Sequence, residues 1–223
     1  MENFTVKINS IDNLTHDVLR FRTNKPLGFD FISGQATNIS INSPKWIKEE
    51  RPFTFTCLPA NDYLEFSIKT YPKHKGVTNE LLKLKPNDEL ILHEVFGAIG
   101  YKGKGVFICG GAGVTPFISI FRSLKAKKEL EDNVLIFANK TKFDIILEEE
   151  FKLMLGDSFV NILAEEKLKN YHYGLITVEF LKSIVANFDQ YFYICGPPPM
   201  IKSVESQIKS LGVQNEQIIQ ETF

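Results

Sequence analysis

The chain has 223 residues, which suits one large domain or two of roughly 100 residues each, and its 43 % hydrophobic content can fill packed cores. Twenty-six Lys and Arg against twenty-seven Asp and Glu give a formal net charge of −1, which excludes the global basic field used in nucleic-acid binding. The opening MENFTVKINS lacks the apolar region of a signal peptide, and no apolar run reaches the roughly 18 residues of a membrane span. No membrane span is therefore expected, and the expected compartment is the cytoplasm.

In chain order, residues 4–8, 18–22, 29–32, 37–41, 52–56, 63–69 and 89–95 are short, alternating, and rich in β-branched and aromatic side chains. Turn formers such as Asn-Lys-Pro, Ser-Gly and Pro-Asn-Asp separate them, which predicts antiparallel strands closing into a small barrel or sandwich. One helix is predicted inside this set, over residues 77–84 (VTNELLKL), opening just after Gly76.

After Gly97 the pattern changes. Buried strands are predicted at 105–109, 134–138, 158–163 and 191–195, alternating with amphipathic helices near 115–127, 144–155, 178–186 and 198–211. This is the signature of βαβ units and a parallel sheet. The string Gly97, Gly100, Gly103, Gly105 marks the junction, so the expected domains are residues 1–99 and 100–223.

Cys57, Cys109 and Cys195 are far apart, as are His16, His74, His93 and His172, and neither set has the spacing of a metal site, a disulfide framework or an iron–sulfur cluster. No metal is expected.

Two strand ends carry the chemistry. Residues 108–117 (ICGGAGVTPF) run from a strand through Gly110, Gly111 and Gly113 to Thr115-Pro116 at a helix start. That design lets a backbone approach a pyrophosphate, although a glycine turn can also serve tight packing alone. Residues 191–200 (YFYICGPPPM) repeat it, with Cys195, Gly196 and three prolines from Pro197 forming a rigid lip. Cys195 also reads as a plain buried hydrophobe. In the first half, Arg51-Pro52-Phe53-Thr54 opens a strand on which Arg51 and Phe53 share one face. Its guanidinium fork suits a phosphate, and a solvated edge arginine is the alternative. Lys69 ends a later strand, and Gly76-Val77-Thr78 opens the helix at a second place able to hold phosphate.

In their order these stretches resemble the ferredoxin–NADP reductase superfamily: RPFT at 51–54, G-x-T at 76–78, GGAGVTPF at 110–117 and CGPPPM at 195–200. The resemblance implies a flavin-binding antiparallel β-barrel followed by a nicotinamide-nucleotide-binding α/β domain with a parallel sheet. It implies that Arg51 meets the FAD pyrophosphate, that Phe53 and Thr54 line the flavin, and that Gly76 to Thr78 hold phosphates, with Pro52 and Lys69 beside them. Gly111, Gly113 and Thr115, with Cys195, Gly196 and Pro197, would receive NADH or NADPH. Thr54 and Cys195 are the expected catalytic contacts, at the flavin edge and against the nicotinamide. Glu221 and Phe223 match the plant-type ending of a glutamate, one residue and a terminal aromatic, with Phe in place of Tyr; Glu221 would orient the nicotinamide or relay a proton, and Phe223 would stack on the flavin.

Two departures stand out. Phe53 replaces the usual tyrosine, so a phenol hydrogen bond is lost while the packing face remains. The cluster-binding cysteines of fused members are absent, so electrons are expected to leave to a separate acceptor, a small redox protein such as a flavodoxin or ferredoxin. The implied function is an NAD(P)H-dependent flavoprotein reductase. A free-flavin or ferric-chelate reductase and a non-catalytic nucleotide-binding module are the alternatives, and FMN is the alternative to FAD because the loop at 71–75 is short. The stretch FANKTKFDIIL, with Asn139 and then Asp144, is similar to that of NADH-using cytochrome b5 reductases, which favours NADH, while Lys140 and Lys142 keep NADPH open.

Overall fold

The computed structural model describes residues 3–97, 99–130 and 132–221. Two compact units divide the chain, residues 1–100 with 115–123 and residues 101–114 with 124–223.

The first unit contains β1 (Phe4–Asn13), β2 (Val18–Asn24), β3 (Ala36–Ile41), β4 (Arg51–Thr54), β5 (Tyr63–Lys69) and β6 (Glu89–Phe96). They pair antiparallel in the order β4-β3-β6-β1-β2-β5, and a bridge from Phe55 to Phe66 joins the two outer strands. That bridge closes the sheet into a barrel and removes its edges. Alternation in β1 sends Val6 and Ile8 inward onto Phe21, Phe55 and Phe66, all buried.

The expected strand at 29–32 is absent. Phe29 and Phe31 are buried but lie in a loop, where the Phe31 ring stacks on Phe55 with centroids 4.2 Å apart. Burial, not ladder pairing, is what their alternation encodes. Gly34 has φ +100, and a Cβ there would strike the Ile99 carbonyl. The predicted helix over 77–84 is a single turn, α1 (Val77–Glu80), followed by a 3-10 turn at Leu81–Lys83 and ended before Pro86.

Inside the barrel wall lies a buried carboxylate that the alternation of β5 does not suggest. Glu65 is fully shielded from solvent and accepts from Arg122 Nη1 at 2.6 Å, Arg22 Nε at 2.9 Å and Thr56 Oγ1 at 3.0 Å. Arg122 lies in the part of its helix that groups with the barrel.

The second unit is a parallel sheet of β7 (Gly105–Gly110), β8 (Val134–Asn139), β9 (Phe159–Leu163), β10 (His172–Tyr173), β11 (Tyr191–Cys195) and β12 (Ile218–Gln220), in the order β10-β9-β8-β7-β11-β12. Helices α2 (Thr115–Lys127), α3 (Glu148–Leu155), α4 (Val178–Ile184) and α5 (Pro198–Ser210) alternate with the strands. Ile108, Ile136, Ile162 and Ile194 share one sheet face and pack with Leu181, Val204 and Ile208. The chain steps outward from β7 to β10, then returns to lay β11 on the other side of β7. This reversal makes a crevice at the carboxyl ends of β7 and β11, where open α/β sheets bind ligands.

The helix expected over 144–155 begins only at Glu148, because Asp144 is used in a capping box with Thr141, accepting from its amide at 2.8 Å and its hydroxyl at 2.7 Å. The two-residue β10 was not foreseen. No helix among the described residues is long and apolar enough to cross a membrane.

Burial alone would push the Glu65 carboxyl up, but Arg122, Arg22 and Thr56 together hold it below its ordinary value of 4.5. Its stabilisation is thus complete above about pH 4.5 and lost as pH falls through the lower folded value. Glu65→Gln is expected to be less stable than wild type in urea at neutral pH, and the gap should narrow by up to about 1.4 kcal/mol per pH unit in that acid window. A gap that does not change with pH would remove the charged carboxylate from the account.

Candidate functional site

In the first unit, Arg51 and Pro52 are exposed at the start of β4, and Phe53 packs against the barrel core while Thr54 is half-buried at the strand's end. The Arg51 guanidinium donates to the Glu50 carbonyl at 2.6 Å and to Glu49 Oε2 at 3.4 Å. With both carboxylate and guanidinium about half exposed, such a pair is weak and exchangeable. Lys69 is committed more firmly, with its ammonium 2.8 Å from Asp17 Oδ2.

Gly76 is the N-cap of α1 in an extended conformation, with no side-chain cap and open space where a Cβ would stand. Val77 is buried in the barrel core and Thr78 is half-buried. Beside this turn is a cavity of about 170 Å³ bounded by Trp46 and Lys45 on one side and Lys75, Gly76, Asn79 and Lys83 on the other. Glu80 also lines it and engages Lys83 at 2.8 Å, so Lys45, Lys75, the Gly76 backbone and the Trp46 face are what it offers to an anionic aromatic cofactor.

In the second unit, the turns after β7 and β11 lie side by side because Cys109 and Cys195 are register partners. Contact is close enough to demand glycine. A Cβ on Gly113 would strike the Cys195 carbonyl and stand 2.6 Å from the Gly196 Cα; one on Gly110 would stand 2.7 Å from Met200 Sδ. Gly111, at φ +51, has nothing within 4 Å of that position, so it is the glycine whose surface is open. Gly113 instead makes room for the neighbouring turn. Thr115 begins α2, with Pro116 in its first turn.

The three prolines are accounted for by the helix itself. Pro197 is the N-cap of α5 and Pro198 and Pro199 open it, positions where no amide is needed for the helix. All three are exposed. Cys195 is half-buried, and burial, then the Glu221 carboxylate, pushes its thiol up to about 12. It is a neutral thiol at physiological pH, not a nucleophile. Glu221 follows β12 and is buried. Phe223 lies outside the described residues.

Asn139 ends β8 with both side-chain amide atoms buried and unpartnered, and Asn161 Oδ1, on the same sheet face one strand over, is likewise unpartnered. Orphaned buried polar atoms at a strand's carboxyl end call for a polar ligand or water. Around them, Lys140 pairs with Glu165 at 2.9 Å, and the Lys142 amide donates to Glu166 Oε2 at 2.8 Å. Sequence reasoning missed Asn161, Glu165, Glu166 and Trp46, none of which stands in a recognisable motif.

The fold and these strand-end turns define a two-unit flavoprotein architecture of the oxidoreductase type. Residues 3–100 match the FAD-binding domain family and residues 107–206 the oxidoreductase NAD-binding domain family. The chain therefore joins a member of the FAD-binding domain family to a member of the oxidoreductase NAD-binding domain family, and it is similar to ferredoxin–NADP reductases and cytochrome b5 reductases. It is 28 % identical over 181 residues to NADH-cytochrome b5 reductase 2 of Mycosarcoma maydis, covering 74 % of this chain and 51 % of that protein. It is 26 % identical over 244 residues to the reductase component of propane 2-monooxygenase of Rhodococcus jostii, covering 100 % of this chain and 64 % of that one. The chain thus spans about half to two thirds of these relatives. A ferredoxin NADP+ reductase of Neisseria gonorrhoeae, crystallised with FAD and NADP, superposes with a TM-score of 0.86 at 20 % identity, covering 99 % of this chain and 98 % of that one. That likeness is one of fold.

Gly113→Ala is expected to cost about 1–3 kcal/mol, as overpacking does, and to weaken nucleotide binding while leaving flavin content unchanged. Urea denaturation and nucleotide titration check this; a variant with wild-type stability would mean the two turns are not in contact.

Proposed function

We propose that the chain is an NAD(P)H-dependent flavoprotein reductase, acting in the cytoplasm, that passes electrons from reduced nicotinamide nucleotide through FAD to a separate small redox protein. Residues 1–99 serve as the flavin domain and residues 100–223 as the nucleotide domain. The observation that carries this reading is that one chain has an uncapped glycine turn at Gly76 and an exchangeable Arg51 in its antiparallel barrel, and a glycine-lined switch point at β7 and β11 in its parallel sheet. FAD, when bound, supplies the conversion between two-electron and one-electron chemistry.

The residues have separate tasks. Arg51 leaves Glu49 to hold the pyrophosphate, and Gly76, Val77 and Thr78 offer amides and a hydroxyl. Pro52 and Phe53 supply a packing wall, Thr54 offers a hydroxyl at the ring edge, and Lys69, whose ammonium is engaged by Asp17, contributes its main chain. Gly111 and Thr115 take the nucleotide's phosphates, with Gly196 and Pro197 across the crevice. Cys195 presses on the nicotinamide as a neutral thiol, and Glu221 holds or moves a proton beside it. Asn139 satisfies its amide on the nucleotide's ribose.

The choice between a hydroxyl and a phosphate at the ribose 2′ position follows from charge. Glu165 and Glu166 bring two carboxylates just beyond the end of β9, where Glu165 pairs with Lys140 at 2.9 Å and Glu166 accepts from the Lys142 amide at 2.8 Å. Carboxylates accept from a ribose hydroxyl and repel a 2′-phosphate. NADH is the proposed donor, with a kcat/KM at least about tenfold above that for NADPH. The reverse preference in steady-state kinetics would overturn it.

For the acceptor, the relatives' own names, a cytochrome b5 reductase and an oxygenase reductase component, support delivery to a protein. The decisive measurement is an anaerobic spectrum. Purified protein is expected to be yellow and to bleach on adding NADH, and Arg51→Ala is expected to bind FAD about ten- to a hundredfold more weakly, since a charge-assisted phosphate contact contributes about 1.5–3 kcal/mol. A colourless protein that binds no flavin, or a yellow one that NADH does not bleach, would point to the non-catalytic module. Turnover of free flavin or ferric chelates with no saturation by a protein partner would point to the small-acceptor reductase.

A further inference from the structure

Beyond β4 the Phe55 and Thr56 amides still donate to the Gln35 and Glu65 carbonyls, at 3.1 and 2.8 Å, while the carbonyls that follow are held differently. β4 ends at Thr54, and beyond it Phe55 makes a single bridge. The next two carbonyls are buried and are gripped by side chains of α2, not by another strand: Arg122 Nη1 donates to the Thr56 carbonyl at 2.8 Å, and Ser119 Oγ donates to the Cys57 carbonyl at 2.7 Å. The two donors are three residues apart, so they lie on one face of the helix. Arg122 is itself fixed by the shielded Glu65 at 2.6 Å, whose second oxygen is held by Arg22 at 2.9 Å. All of these groups belong to the first unit.

α2 is also the helix that continues directly from the glycine turn at 110–114, with Thr115 as its first residue. Ser119 is one turn from Thr115, and Arg122 lies almost two turns along. A helix is rigid over such a distance and rises 1.5 Å per residue.

We propose that Ser119 and Arg122 are positioning residues for the hydride step, holding the segment from Thr54 to Cys57, and with it the Thr54 hydroxyl, against α2, with Glu65 as the buried counter-charge that aims Arg122. The inference depends on the reductase function proposed above. Neither residue touches cofactor or substrate. Their effect is on alignment, and a displacement of about 1 Å at a reacting pair can slow a reaction on the order of a hundredfold.

The test compares holoprotein with Ser119→Ala, Arg122→Met and Arg122→Lys. Two readouts are taken: hydrogen exchange of the peptide spanning residues 54–58, and anaerobic stopped-flow reduction of bound flavin across a range of NADH concentrations. Ser119→Ala and Arg122→Met are expected to retain flavin, to exchange faster in that peptide, and to lower the limiting reduction rate on the order of tenfold while the apparent nucleotide Kd stays within about twofold. Arg122→Lys is expected to recover part of the rate. Limiting rates within about twofold of wild type in the folded variants, whatever their melting temperature, would reduce the network to a structural role and overturn the inference. Ser119→Ala, which removes one hydroxyl and strands no charge, decides the matter if Arg122→Met does not fold. Wild-type protein that NADH does not bleach would instead sink the reductase reading, and this inference with it.

Discussion

A carboxylate without access to water organises the first unit. Glu65 stands in β5, a strand whose other neighbours are Leu64, Phe66 and Ile68, and it is tolerable there only because two guanidinium groups and a hydroxyl surround it. A buried ion pair is weak support for stability, since desolvation offsets much of the attraction. It is better at fixing geometry. Arg22 reaches Glu65 from β2 and Arg122 from α2, so the carboxylate ties the barrel's outer strand to two elements far apart in sequence. The segment after β4 inherits its position from that clasp.

In the second unit the corresponding constraint is steric. The turns after β7 and β11 approach so closely that Gly113 is required by the Cys195–Gly196 backbone, while Gly110 and Gly196 both face the end of the Met200 side chain. Once these glycines are committed to packing, Gly111 is left with open space above it, and the crevice floor is backbone. The aromatic stack of Phe107 on Tyr193, with centroids 4.1 Å apart, keeps the two strands in register beneath. The Tyr193 hydroxyl accepts from the Lys102 and Gly103 amides at 2.9 and 3.0 Å, which anchors the segment leading into β7.

The electrostatics of the crevice follow from burial. Cys109 is completely enclosed and its thiol is pushed well above its ordinary range, and Cys195, one strand over, is raised by burial and by Glu221. Sulfur here is shape and polarizability, with no thiolate to react. What remains polar is the pair of asparagines on β8 and β9, whose unpartnered atoms mark where a ligand's hydrogen bonds are wanted.

Sequence alone determined the two-part architecture, because period-two alternation before Gly97 and buried strands alternating with helices after it are local properties of the chain. It also determined the strand-end glycine turns and the RPFT strand, since each is a contiguous run with its own backbone requirement. It did not determine that residues 29–32 are a plug and not a strand, because burial and ladder pairing leave the same alternating trace. Nor could it divide the glycines of 110–113 by task, as that depends on what lies opposite, on β11. The tertiary structure alone brought Arg22, Glu65, Ser119 and Arg122 together, and Asn139 with Asn161: each is an ordinary polar residue in its own segment. Its role exists only when strands and helices distant in sequence place a complementary charge, or an empty hydrogen-bonding position, within a few ångströms of it.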